Sequence, residues 1–205
     1  MGKKRTTVPK QRRSIETRQK IKDTAHQLFS SNGFHGTTSN EIASVAGVNI
    51  GTFYNYFEDK KVLLLELLED FQARFFDMAF PEDLPGVGGT DVRDFTRLYL
   101  DRSFDAFRMD REFFRSVYPL QYMDKDVEKI FRKYEQKEAR QMLAVYQQKF
   151  GDIDIEEAKN RISVIAIIVA SVSNRFYTLG LSVGRKQLIS SLTEMISAYI
   201  EALDS

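Results

Sequence analysis

Between residues 49 and 57 the chain reads Asn-Ile-Gly-Thr-Phe-Tyr-Asn-Tyr-Phe. Phe53 and Phe57 are four positions apart, so on a helix they share one side, and Thr52, Tyr54, Asn55 and Tyr56 must project outward or sideways. These groups suit recognition: a phenol can donate to a phosphate oxygen, the Asn55 carboxamide can read a base edge, and Gly51 lets a backbone come close. Bond-breaking chemistry has few candidates. His26 and His35 are the only histidines, there is no cysteine, and neither histidine sits at metal-ligand spacing from other ligands. No phosphate-cradling glycine loop or nucleophile elbow is present, and "GVGG" at 86–89 lacks a strand and helix around it. The pairs Asp152/Asp154 and Glu156/Glu157 read as helix-start charge. The expectation is therefore a binding protein, not an enzyme, with no metal and no cofactor.

Positioning such a face takes a short helix, a turn and a second short helix. Residues 38–41, Thr-Ser-Asn-Glu, have capping-box spacing and predict the start of one helix, with Ile42, Val45 and Ala46 as its apolar positions and Gly47 as its end. Asn49 is the expected cap of the next. A preceding helix from about Ser14 to Ser31, with Ile21, Ala25, Leu28 and Phe29 on one face and Asn32-Gly33 ending it, would complete a small core. A fourth helix starts near Asp59 and stacks Leu63, Leu64, Leu67, Leu68, Phe71 and Phe75 on one stripe. Pro81–Thr90 reads as a loop, and further helices are expected at about 91–109, 110–122, 124–150, 155–181 and 186–203. The fold class is all-α, with residues 1–61 as basic arm and helix-turn-helix domain and 62–205 as a larger helical domain.

Charge divides along the same line. Residues 1–61 hold 11 Lys or Arg against 5 acids, or +6, and the remainder holds 30 − 11 = 19 against 29 − 5 = 24, or −5. A basic end points to a polyanion. Two classes of partner stay open on charge alone: duplex DNA, or an acidic protein bound by the basic face of a helical interaction protein. The arm from Lys3 to Arg13 has six basic residues and can follow a groove or remain disordered. With 42% hydrophobic and 29% charged residues the chain is of ordinary globular type, and the absence of cysteine fits a reducing compartment such as the cytoplasm. The apolar run "ISVIAIIVASVS" at 162–173 is too short to span a bilayer and reads as a buried helix.

The stretch "AHQLFSSNGFHGTTSNEIASVAGVNIGTFYNYFEDKKVLL" resembles the TetR/AcrR-like bacterial transcriptional regulators at many fixed positions over roughly residues 14–64. The resemblance implies phosphate contacts from Thr38, Tyr54, Tyr56 and Lys60. It places base contacts at Ile50, Gly51, Thr52 and Asn55, with Ser39 and Asn40 approaching from the first helix of the pair and Asn49 at the cap of the second. Tyr56 stands where a histidine is common, and Ile50 is apolar where many relatives are polar, which suggests contact with a thymine methyl.

It also implies a small-molecule cavity in the C-terminal domain and a homodimer on an inverted-repeat operator. The rings there invite an apolar or aromatic ligand, with Leu68, Phe71, Phe104, Phe107, Phe114, Tyr118, Tyr122, Tyr134 and Phe176 as candidate lining. Arg108, Arg111 and Arg115 read as a solvated face or an anion contact. A helix apolar nearly all round needs more cover than one subunit supplies, so the last two helices are the expected dimer surface, with small Ala166, Ala170, Ser171 and Ser173 allowing close approach and Leu188, Leu192, Met195, Ile196, Tyr199 and Leu203 on the partner stripe. The function that the resemblance implies is a ligand-responsive transcriptional regulator acting as a repressor.

Overall fold

The computed structural model describes residues 10–80, 91–151 and 154–202. The expected loop at 81–90 with its glycine run, the arm residues before Lys10, Asp152 and Leu203 lie outside them. Among the described residues every regular element is helical: α1 Lys10–Asn32, α2 Ser39–Val45, α3 Ile50–Tyr56, α4 Lys60–Ala79, α5 Val92–Met109, α6 Arg111–Val117, α7 Lys125–Phe150, α8 Ile155–Thr178 and α9 Arg185–Glu201, with a 3-10 turn, Tyr118–Tyr122, between α6 and α7.

The first three helices form because their ends are specified locally. Thr38 caps α2 in both directions: its hydroxyl accepts from the Glu41 N–H at 3.1 Å, and the Glu41 carboxylate accepts from the Thr38 N–H at 3.4 Å. Gly47 then turns the chain at φ +64, a left-handed conformation that other residues adopt at a cost. Asn49 caps α3. Three small corrections follow. α1 begins at Lys10, a turn before the expected cap, and Ser14 lies inside it with its hydroxyl 3.0 Å from the Tyr56 phenol. Val45 is 60% exposed, because this short helix meets the core through Ile42, Ala43 and Ala46 and turns Val45 away from them. Leu28 is only partly buried at the core's edge.

The fourth helix joins the two ends of the molecule. Asp59 caps it by accepting from the Val62 N–H at 2.8 Å. Its buried stripe of Leu63, Leu64, Leu67, Leu68 and Phe71 packs in one continuous cluster with Ile21, Ala25 and Phe29 of α1, Ile42 and Phe53 of the helix pair, and Phe113, Val117, Val127 and Phe131 of α6 and α7. The boundary drawn at 61/62 thus crosses a shared core. On the flank of α4, Lys22 donates to Glu66 at 2.7 Å and to Asp70, while the Arg18 guanidinium grips both Glu66 oxygens. A second cluster joins α5, α7, α8 and α9 through Phe104, Tyr146, Ile165, Val169 and Ile196.

Elsewhere, one expected helix divides. Residues 110–122 become α6 and the 3-10 turn, because Pro119 has no N–H to continue the α ladder. α8 stops at Thr178, short of the expected 181, with Gly180 at φ +74 just beyond. It is capped by Asp154, which accepts from the Glu156 and Glu157 N–H groups at 2.9 and 3.1 Å, so that acidic run is helix-start charge. α8 is also not buried all round. Ile162, Ile165, Val169 and Ser173 face inward, whereas Val164 and Ile167 are exposed.

The clamp on α4 gives a stability test. Its cationic partners, Arg18 first, hold the Glu66 carboxyl below its ordinary range. A depressed carboxyl contributes stability above its unfolded pKa of about 4.3, and the contribution is lost as pH falls through the lower folded value. Glu66→Gln should therefore cost about 1–2 kcal/mol in thermal or denaturant unfolding at pH 7. The gap from the parent protein should narrow as pH falls below about 4.3 and close only below the lower folded value.

Candidate functional site

The polar face of the helix pair is assembled from caps outward. Asn49 Oδ1 accepts both the Thr52 N–H at 2.7 Å and the Thr52 hydroxyl at 3.0 Å. Thr52 has therefore committed its proton and can only accept from a ligand. Thr38 is in the opposite condition: its oxygen takes the Glu41 N–H and its own hydroxyl proton remains free for a phosphate. A Cβ at Gly51 would stand 3.3 Å from Asn49 Oδ1, so the glycine keeps this cap open.

Phe53 and Phe57 are buried, and the rest of α3 projects from that anchor. Tyr54 is 55% exposed, with its ring against the edge of Phe53 at 5.4 Å. Asn40 and Asn55 are exposed, and Ser39 is half-buried beside them; none of the three has a hydrogen-bond partner among the described residues. Their polar groups are available to a ligand. Tyr56 shares its phenol with Ser14, which fixes its direction.

Two sequence-selected residues are held differently from the rest. Ile50 is half-buried against the core, so only part of its surface can meet a base. Lys60 donates to the Phe34 carbonyl at 2.7 Å and the Thr37 carbonyl at 2.6 Å and lies over the Phe34 ring at 4.4 Å. Burial holds its ammonium pKa below the usual lysine range. Two of its three donors thus tie α4 to the loop before α2, and one remains. Arg13, the last cation of the expected arm, and Lys20, not singled out in the sequence, are exposed, have no carboxylate partner among the described residues, and lie two helical turns apart on α1. The Lys20 ammonium stands 3.4 Å from where a Cβ of Gly47 would be, beside the turn into α3. Their seven-residue spacing was the available signal.

Beyond α4 lies a cavity of about 90 Å³, bounded by α4, α5, α6, α7 and α8. Phe71, Phe107, Phe114, Tyr118 and Tyr134 of the sequence-selected residues line it, and Phe75, Phe76, Phe80, Tyr99 and Phe131 add further rings. Four selected residues lie elsewhere. Leu68 and Phe104 are fully buried in packed core, Phe176 packs on Phe104 and Tyr177, and Tyr122 is 75% exposed on the 3-10 turn. Ala166 and Ala170 open into the cavity and Ser173 is buried, so of the four small α8 residues only Ser171 faces outward. Arg108, Arg111 and Arg115 are exposed and paired with nearby Asp105 and Glu112, as a solvated face would be. Among the described residues no group of acids and histidines could hold a metal, and no helix is long and apolar enough to cross a membrane.

Residues 21–67 match the family described as bacterial regulatory proteins, tetR family. The chain is 32% identical over 100 residues to the uncharacterized HTH-type transcriptional regulator YerO of Bacillus subtilis, a match covering 48% of this chain and 34% of that protein. It is 48% identical over 71 residues to the HTH-type transcriptional regulator AcrR of Shigella flexneri, covering 29% of this chain and 33% of that one. The chain thus spans about a third of the length of these relatives. Among solved structures, a tetR-family regulator from Streptomyces coelicolor superposes with a TM-score of 0.73 at 18% identity, over 92% of this chain and 88% of that one. The fatty acid degradation regulator FadR of Bacillus halodurans gives 0.67 at 19%, over 88% and 94%.

The caps and the free groups should separate in mutants. Asn49→Ala removes an acceptor of two hydrogen bonds and should lower stability by about 1 kcal/mol in thermal melting. Asn55→Ala, which breaks no contact, should melt like the parent. With its sequence signature in the helix pair and its helical architecture shared along almost the whole length, the chain carries the helix-turn-helix domain of the tetR family of bacterial transcriptional regulators.

Proposed function

We propose that the protein is a cytoplasmic, dimeric, ligand-responsive repressor that binds an inverted-repeat operator and leaves it when a small apolar or aromatic molecule occupies the cavity. The observation that carries the DNA reading is α3 itself. Its apolar side is fixed by Phe53 and Phe57, and Tyr54 and Asn55 stand exposed on the other, beside free cations on α1. In this reading Thr38, Tyr54, Tyr56 and the third donor of Lys60 meet phosphates, joined by Arg13 and Lys20. Gly51, Thr52 and Asn55 meet base edges, with Ser39 and Asn40 at the margin and Ile50 supplying a partial apolar contact.

Homodimerisation is supported by the outer faces of α8 and α9. Val164 and Ile167 on α8 and Met195 and Tyr199 on α9 are large apolar or aromatic groups left exposed. A second copy related by a twofold axis would cover them and set two α3 helices against successive major grooves, roughly 34–36 Å apart.

Selection from random duplexes should return an inverted repeat; a motif without symmetry, or none, contradicts the reading. On the selected site, Asn55→Ala should cost on the order of 1–3 kcal/mol and relax one base position, whereas Tyr54→Phe should weaken all duplexes alike. Ile167→Glu should yield a folded monomer by sedimentation, with weak half-site binding only.

A further inference from the structure

The cavity's rings are accompanied by polar groups that an uncharged ligand would leave unused. Gln72 of α4 lines the cavity, is 8% exposed, and has no hydrogen-bond partner among the described residues. Glu138 of α7 also lines it. One carboxylate oxygen of Glu138 takes the Tyr99 hydroxyl, and the residue is paired with no cation among the described residues. Glu135, one turn earlier on α7, lines the same wall from an exposed position, where solvent carries its charge, and is likewise unpaired with any cation. An uncompensated carboxylate beside an apolar hollow is costly unless something positive enters.

The local field has the same sign. Burial first, and then Tyr99 and Glu135, shape Glu138, whose carboxyl is pushed above its ordinary range. Tyr134 is pushed up to about 12 by burial and by the charges of Glu69, Asp77 and Asp70. Glu69 and Asp70 already have Lys133 and Lys22 as partners, so Glu138 is the group that a cation placed here would compensate. The rings can also hold one. The Lys137 ammonium already sits 3.6 Å from the centroid of Phe76 and 5.9 Å from that of Tyr134, both cavity residues. Lys137 leaves the wall formed with Glu135 and Glu138 one negative charge in excess.

We infer that the cavity selects a lipophilic cation: an aromatic or aliphatic body carrying a quaternary or protonated amine, its body among the phenylalanines and its charge between Glu138, Glu135 and the ring faces. This rests on the ligand-responsive reading above and narrows it, since an uncharged hydrocarbon would satisfy the rings but not Glu138 or Gln72. At about 90 Å³ the hollow is smaller than the cavity of about 150 Å³ that accepts benzene, so a single ring with a compact charged head enters only as the ring walls give way. Quaternary ammonium groups are recognised by aromatic faces in the same way.

Phenyltrimethylammonium and tert-butylbenzene have the same shape and differ in one central atom, nitrogen with a positive charge or neutral carbon. In NMR titrations of the full-length protein the cation should bind about tenfold or more tightly than the hydrocarbon, the order expected from a desolvated cation–π contact and a charge pair. Glu138→Gln, which keeps the side chain's size, should remove most of that preference and leave tert-butylbenzene binding unchanged, and Ala170→Phe should abolish binding of both. Equal affinities for the two probes in the parent protein would overturn the charge assignment while leaving the cavity intact. Binding of neither would overturn it together with the ligand-responsive reading. If Glu138→Gln melts below the working temperature, the comparison of the two probes on the parent protein decides alone.

Discussion

The packing of α4 against its neighbours is the constraint on which the molecule depends. One stripe of leucines and Phe71 serves as core for the helix-turn-helix unit at one end and for α6 and α7 at the other. Truncating a buried leucine of this kind typically costs 2–5 kcal/mol, a large part of the stability of a domain. The charged flank adds direction to that packing. Lys22, nearly buried, can be satisfied only while Glu66 and Asp70 face α1, and Arg18 reinforces the same face of Glu66. α1 and α4 are thereby held in one rotational setting. Lys61 extends the fastening by pairing with Asp124 and Asp126 at the start of α7, and His26, stacked on Phe113, pairs with Asp110 at the start of α6.

From that rod, hydrogen-bond commitments decide what α3 can do. Asn49 and Thr52 satisfy one another, Tyr56 is directed by Ser14, and Lys60 spends most of its donors on the loop before α2. The side chains left without partners, Asn40, Asn55, Arg13 and Lys20, are those a duplex can recruit without first breaking a protein contact. A buried acceptor deprived of its donor costs more than an exposed one, so binding energy is best drawn from groups already free.

The helix pair was legible in the sequence because its determinants are local. A capping box, a left-handed glycine and two phenylalanines four apart each act within a turn or two of chain. The all-α class followed equally from periodicity. What the sequence did not disclose was tertiary. Whether Ala166 and Ala170 face a partner or a cavity depends on where α4 and α7 lie, and no spacing rule on α8 distinguishes the two. Phe104 and Phe107 carry the same chemistry three residues apart, yet one is packed core and the other cavity wall. Lys60 looked free because its partners are backbone carbonyls, which no side-chain pattern announces. The split of α6 at Pro119 was readable in principle, the proline having no N–H to give.

The cavity and the helix pair meet on α4: Phe71, Gln72, Phe75 and Phe76 bound the cavity within the same helix whose first turn holds Lys60. In the proposed dimer a ligand could shift the spacing of the two α3 helices only by its difference in affinity for the two arrangements, typically 1–3 kcal/mol. The chain has no cysteine, so Ser44→Cys, exposed at the end of α2, gives a single spin-label site per protomer. Pulsed dipolar spectroscopy of the labelled protein, on the selected duplex and with saturating phenyltrimethylammonium, measures the coupling in the proposed dimer directly. The account predicts one narrow distance on DNA and a distribution displaced by several ångströms with the cation. An unchanged distance under ligand saturation would contradict the transmission through α4.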